Sequence, residues 1–226
     1  LKINMNIYLL MEGSKTEPLV YNAWINYVAP HMSQVKKLSD IKENNFYIIS
    51  SQGYPRILTH AIADTVKDIN QTPNIDALWI VVDTENSTIE QRLQAIQTEL
   101  EKYTFSRPIE IQMVVQKCCI ETWGFGNDKV FPTHDIDEDL QEYLDFYDIR
   151  YNDPEEMKCP DDYDGSIADY HLHYLRAILK KKRISYTKSR PNDLDKEYYF
   201  NEICVRESRD NHLLTFRNLK NLLHTI

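Results

Sequence analysis

The stretch that most constrains this 226-residue chain is Ala77-Leu78-Trp79-Ile80-Val81-Val82, which runs without a polar break straight into Asp83. A strand-length run of this kind cannot alternate between core and water. It predicts a central strand of a parallel sheet, covered on both faces. The neighbouring segments agree. "INMNIYLLME" (3–12) reads as a mostly buried strand ending on Glu12, and "KTEPLVYNAWINYV" (15–28) as a helix after a tight turn. Pro18 suits the first helical turn, with Ser14 or Thr16 as a cap.

"NNFYIISS" supplies a second strand, and "YPRILTHAIADTVKDIN" has apolar positions at helical spacing. "TIEQRLQAIQTELEKY" is a charged amphipathic helix, and "PIEIQMVVQKCCIETW" a further strand. The resulting β-α-β-α-β-α-β order calls for an α/β fold, a mostly parallel central sheet flanked by helices.

Composition changes past this point. Residues 135–169 carry fourteen acids against the two bases Arg150 and Lys158, which suggests an inserted or lid-like helical region. A helix ending in a basic run follows, and the tail "DNHLLTFRNLKNLLHTI" has the apolar spacing of a helix packed on a core. The expected organisation is an α/β core over 1–134, followed by an appendage over 135–226 with the acidic segment, a basic loop and C-terminal helices.

A net charge of −9 argues against non-specific attraction to nucleic acid or an anionic membrane over the whole surface. It leaves room for a local basic groove, and six of the eleven residues from Lys180 to Arg190 are basic. No apolar stretch approaches membrane-spanning length. The N-terminus shows no secretory leader, so a cytoplasmic location with free thiols is expected. Cys118, Cys119, Cys159 and Cys204 show neither zinc-ligand spacing nor a disulfide framework. On a strand Cys118 and Cys119 would face opposite ways, and neither His171 nor His173 pairs with a cysteine by spacing.

The acids at the strand ends carry the functional reading. In open α/β sheets ligands sit outside the C-terminal ends of the strands. Glu12 ends the first strand and Asp83 the third, and alternation would point Glu85 the same way as Asp83. Carboxylates gathered there need a cation, and hard oxygen donors suit Mg²⁺ or Mn²⁺. The plainer alternative is that Asp83 and Asn86 cap the helix that follows, and that Glu12 accepts hydrogen bonds from the "GSKT" turn.

"LLMEGSKTEPLVY", "WIVVDTEN" and "CCIETWGF" resemble the successive signatures of the RloB-like branch of Toprim-like proteins, related to overcoming-lysogenization-defect family nucleases. The resemblance implies a Toprim fold with motif positions at Glu12, Gly13, Glu17 and Pro18, at Asp83, and at Glu121 and Trp123. Glu85 stands where the family's second motif has an aspartate, which keeps the charge and changes the reach. A lysine further on falls on Lys188. The implied activity is metal-dependent hydrolysis of phosphodiester bonds in DNA or RNA, with Glu12, Asp83 and Glu85 as metal ligands, Lys188 facing the phosphate, and Gly13, Glu17 and Glu121 nearby. An ABC-type or related ATPase partner and a role in antiphage defence or abortive infection come with it, and a homo-oligomer is compatible. The rival expectation is a non-catalytic Toprim-like interaction module that regulates a partner protein.

Overall fold

The computed structural model describes residues 4–134 and 136–226, so Ile3 of the expected first strand and Asp135 of the acidic segment lie outside the described residues. The chain is a mixed α/β protein that divides into two compact units: residues 1–82, 87–115 and 222–226 in one, 83–86 and 116–221 in the other.

The first unit is built on the sheet. In chain order it runs through β1 (Ile7–Met11), α1 (Thr16–Val28), β2 (Ser33–Val35), β3 (Asn45–Ser50), α2 (Ile62–Gln71), β4 (Ala77–Asp83), α3 (Ile89–Leu100) and β5 (Glu110–Gln116). The spatial order is β2-β3-β1-β4-β5. β1 lies between β3 and β4, parallel to both, with Met11 opposite Ser50 on one side and Val81 on the other. β2 pairs with β3 in parallel. Bonds from Glu110 N–H to Asp76 C=O (3.0 Å) and from Thr84 N–H to Gln116 C=O (2.9 Å) show that β5 follows β4 in the same direction.

Continuous apolar runs explain the central position of β1 and β4. Every residue of β1 is buried, as is β4 from Ala77 to Val82. One face of the sheet, with Tyr8, Leu10, Leu78, Ile80 and Val82, packs against Ile62, Val66 and Ile69 of α2 and Ile96 and Leu100 of α3. The opposite face, with Ile7, Leu9 and Trp79, is buried too, as are Val20, Tyr21, Trp24 and Ile25 of α1. The strand order changes direction between β1 and β4. After β1 the chain moves out to the edge strand β2, returns through β3, then crosses β1 to β4. That pair is the switch point of the sheet.

Local expectations needed three corrections. β2 is a strand that the sequence pattern does not mark: it is three residues long with one apolar side chain, too short for a period to show. Helix α1 starts after Lys15 with no side-chain cap, so neither Ser14 nor Thr16 plays that part; Glu17 instead places its charge in the first turn. Helix α3 is capped by Thr88 rather than by Asp83 or Asn86. Thr88 Oγ1 accepts from Gln91 N–H (3.1 Å), and Gln91 Oε1 accepts from Thr88 N–H (2.9 Å).

The second unit is helical, with α4 (Ile120–Gly124), α5 (Glu138–Phe146), α6 (Ile167–Lys181), α7 (Glu197–Asp210) and most of α8 (Leu214–Leu223). Its core is aromatic. Trp123 meets Phe216 edge-on, and Phe125 packs beside Tyr174 and His171. Arg206 of α7 is buried in it and donates to the carbonyls of Phe125 (2.8 Å), Asn152 (3.1 Å) and Ile149 and to Asp128 (3.2 Å). No helix among the described residues is long and apolar enough to cross a membrane.

Candidate functional site

Glu12 is the first residue beyond β1. Its N–H donates to Val81 C=O of β4 (2.9 Å), and its carbonyl accepts from Gly53 N–H (2.9 Å) beyond β3. Gly53 therefore does sit on the rim beside β1, and its φ of +103° is a conformation that glycine adopts freely. Glu12 and Glu17 are both buried, and the Glu17 carboxylate turns back over Gly13. The motif Glu12-Gly13…Glu17 is thus a compact feature of the first unit.

Asp83 is the last residue of β4 and is half-buried. The turn after it belongs to the second unit and is pinned there by its backbone. Thr84 N–H bonds to Gln116, Glu85 N–H to Cys118 C=O (3.1 Å), and Cys118 N–H to Thr84 Oγ1 (2.9 Å). Glu85 is exposed with φ of +47°. Strand alternation therefore does not govern the direction of the Glu85 side chain. The strand stops at Asp83, and a left-handed residue resets the direction of the side chain.

Glu121 and the loop bearing Lys188 meet in the second unit although they are far apart in sequence. Tyr186 donates its hydroxyl to Glu121 Oε1 (3.0 Å) inside the protein. Two residues on, Lys188 is exposed, on a tight turn closed by paired backbone bonds between Thr187 and Arg190. Its charge helps hold the Asp169 carboxyl below the usual range, a shift caused first by the Ser166 hydroxyl bonded to that carboxyl. Trp123 is a core residue, bonded through Nε1 to Glu155 (3.1 Å) and Thr215 (3.0 Å).

The same unit holds a cluster that sequence spacing hid. Cys118, Cys119 and His171 place one ligand atom each within 4.8 Å of one another, all three buried. These groups can coordinate a metal ion. Two local features assemble them. β5 ends at Gln116, and Cys118 takes φ of +57°, so the pair is not on a strand and the expectation of opposed thiols fails. His171 lies on the buried stripe of α6 with Tyr174, Leu175 and Ile178, at spacings of three, four and seven, while His173 faces outward. That stripe was the available sequence signal, because it marks His171 as facing inward. The reading that neither histidine pairs with a cysteine is corrected for His171.

The hydrogen bonds fix the imidazole tautomer. Nε2 stands 3.2 Å from Met157 C=O, which can only accept, so Nε2 carries the proton. Nδ1 then offers its lone pair and accepts from the Thr122 hydroxyl (2.8 Å). A hydrogen bond from Cys119 brings the Cys118 thiol down to about 6 against the opposing effect of burial. Cys119 is pushed up by giving that bond, then by burial and by the negative charges of Cys118, Glu121 and Asp83.

The chain matches no protein-family model, no curated protein and no solved structure.

Proposed function

We propose that this chain is a Toprim-like, Mg²⁺- or Mn²⁺-dependent phosphodiesterase acting on DNA or RNA, and that Glu12 and Asp83 are its principal acids. The observation that carries the reading is topological. Glu12 follows β1 and Asp83 closes β4, and these are the neighbouring parallel strands at which the sheet order turns. Ligands of open α/β sheets bind outside the carboxyl ends of the strands at such a point. The donor set fits the ion: both are carboxylates, the hard oxygen ligands that Mg²⁺ and Mn²⁺ prefer over sulfur or imidazole. The capping of α3 by Thr88 also removes the plainest structural explanation for Asp83.

When bound, the divalent ion supplies a Lewis acid that acidifies water and compensates charge on the phosphodiester. Glu12 and Asp83 would hold it. Glu12, buried beside Gly13, is also placed in this reading to accept the proton of the attacking water. Exposed Glu85 contributes through water rather than by direct contact. Lys188, on its tight turn, offers a cation to a phosphate oxygen. An ABC-type ATPase partner and an antiphage role belong to the same proposal and rest on the motif resemblance.

The test is cleavage of plasmid DNA, single-stranded DNA and total tRNA with Mn²⁺ or Mg²⁺ by wild type, Glu12→Ala and Asp83→Ala, alongside calorimetric titration of Mn²⁺. Cleavage lost in both variants supports the proposal and identifies the polymer. A wild type that binds no Mn²⁺ and cuts nothing overturns it. That outcome favours the non-catalytic interaction module, which the replacement of the motif's second aspartate by Glu85 also favours.

A further inference from the structure

We propose that Cys118, Cys119 and His171 hold a thiolate-preferring divalent ion of the zinc class in a buried structural site, distinct in chemistry from the carboxylates assigned above. The proposal does not rest on the nuclease reading.

Two sulfurs and an imidazole nitrogen are a soft to borderline donor set. It suits Zn²⁺ and not Mg²⁺ or Mn²⁺. The imidazole is held as metal-binding histidines are: one ring nitrogen donates to a backbone carbonyl, here Met157, which leaves the other nitrogen's lone pair on the side of the Thr122 hydroxyl. Donors bound to one zinc at about 2.0–2.3 Å in a tetrahedron stand roughly 3.3–3.8 Å apart. From within 4.8 Å, closure therefore needs movements of about 1 Å, within the reach of side-chain torsions. The three residues fill three positions of a tetrahedron, and the fourth is left to water.

Packing alone explains the cluster less well. As two small apolar fillers against Ala168 and Ile167, the cysteines would give no reason for a left-handed Cys118. Such a backbone costs of order 1 kcal/mol or more in a non-glycine residue. That conformation is what turns adjacent thiols towards one histidine. On binding, both sulfurs coordinate as thiolates, any thiol proton still present passing to solvent, and His171 Nδ1 exchanges the Thr122 hydroxyl for the ion. The ion would then tie the chain after β5 to α6. Through Cys118 and its bonds to Thr84 and Glu85, it would also steady the turn that follows Asp83.

The experiment is metal analysis of the reduced 226-residue chain, followed by stripping with a chelator and reloading with Zn²⁺ or Co²⁺. We expect about one equivalent of ion per chain, a Tm that falls on stripping and returns with Zn²⁺, and near-ultraviolet thiolate-to-cobalt charge-transfer absorption. Cys118→Ser, Cys119→Ser and His171→Asn should each lose that absorption, while Cys204→Ser and Glu12→Ala keep it. In the wild type, Zn²⁺ should shield Cys118 and Cys119 from alkylation, a readout that survives even if the variants fold poorly. A stripped wild type that takes up neither ion, or cysteine and histidine variants that bind as well as wild type, would overturn the site. Retention in Glu12→Ala keeps this outcome separate from any failure of the nuclease reading.

Discussion

The carboxylate of Glu17 occupies the space that a β-carbon on Gly13 would need. Gly13 is therefore required for what it lacks, and the acid four residues on is held against the backbone that follows Glu12. Gly13→Ala forces Glu17 out of a buried position and should cost about 1–3 kcal/mol. In urea titrations the double variant Gly13→Ala/Glu17→Ala should recover part of that loss, because the colliding group is gone. Equal additive losses would show that the two residues are not coupled.

Tyr186→Phe removes the hydroxyl bonded to Glu121 and changes little else. Leaving a buried acid short of one partner should cost about 1–3 kcal/mol, read as a lower urea midpoint. If the Lys188 turn serves phosphate binding, KM for the cleaved polymer should rise in the same variant with a smaller effect on kcat. An unchanged midpoint would remove Tyr186 as the anchor of that turn.

Arg206 joins three loop carbonyls and Asp128 inside the second unit. Arg206→Ala leaves those acceptors buried and unmatched, and should destabilise by about 3–5 kcal/mol. Arg206→Lys should recover little, because an ammonium cannot reproduce the planar fork that reaches several acceptors at once. Chemical denaturation of the two variants beside wild type measures both effects.

Glu207 provides a test against pH. Burial alone would raise its carboxyl, but bonds from Lys220 and Arg217 outweigh it and hold the group below its unfolded value of 4.5. A depressed folded value means the stabilisation is present above pH 4.5 and is lost as pH falls through the folded value. Wild type should therefore lose stability steeply below pH 4.5. Glu207→Gln should start lower at neutral pH, by about 1–3 kcal/mol, and show a shallower acid limb. Parallel acid limbs in the two proteins would mean that Glu207 is not a main source of acid sensitivity.

The parts of the fold that were legible beforehand are those with a one-dimensional signature. The unbroken apolar run from Ala77 announced β4 and its burial on both faces, and the alternation of strand and helix announced the parallel sheet. β2 was not legible, because three residues at a sheet edge carry no period. The direction of Glu85 is not legible either, because β4 ends at Asp83 and alternation stops with the strand. The thiol–imidazole cluster was invisible for two reasons. It depends on the backbone angle of Cys118, which nothing in the residue's identity signals, and on helix α6 returning His171 to it from fifty-two residues away. His171 on its apolar stripe was the one legible half.

The polypeptide passes from one compact unit to the other after Val82, Asn86, Val115 and Asn221. Neither unit is a continuous segment, so neither can be inherited, exchanged or expressed as a module by a single splice. A fragment beginning at Gln116 would lack the Asp83–Asn86 turn that its backbone binds, and one ending at Val115 would carry that turn without the residues that hold it. Recombination at any one of these crossings would leave both products incomplete. The acid at the end of β4 is thereby bound by connectivity to the unit that carries the thiols.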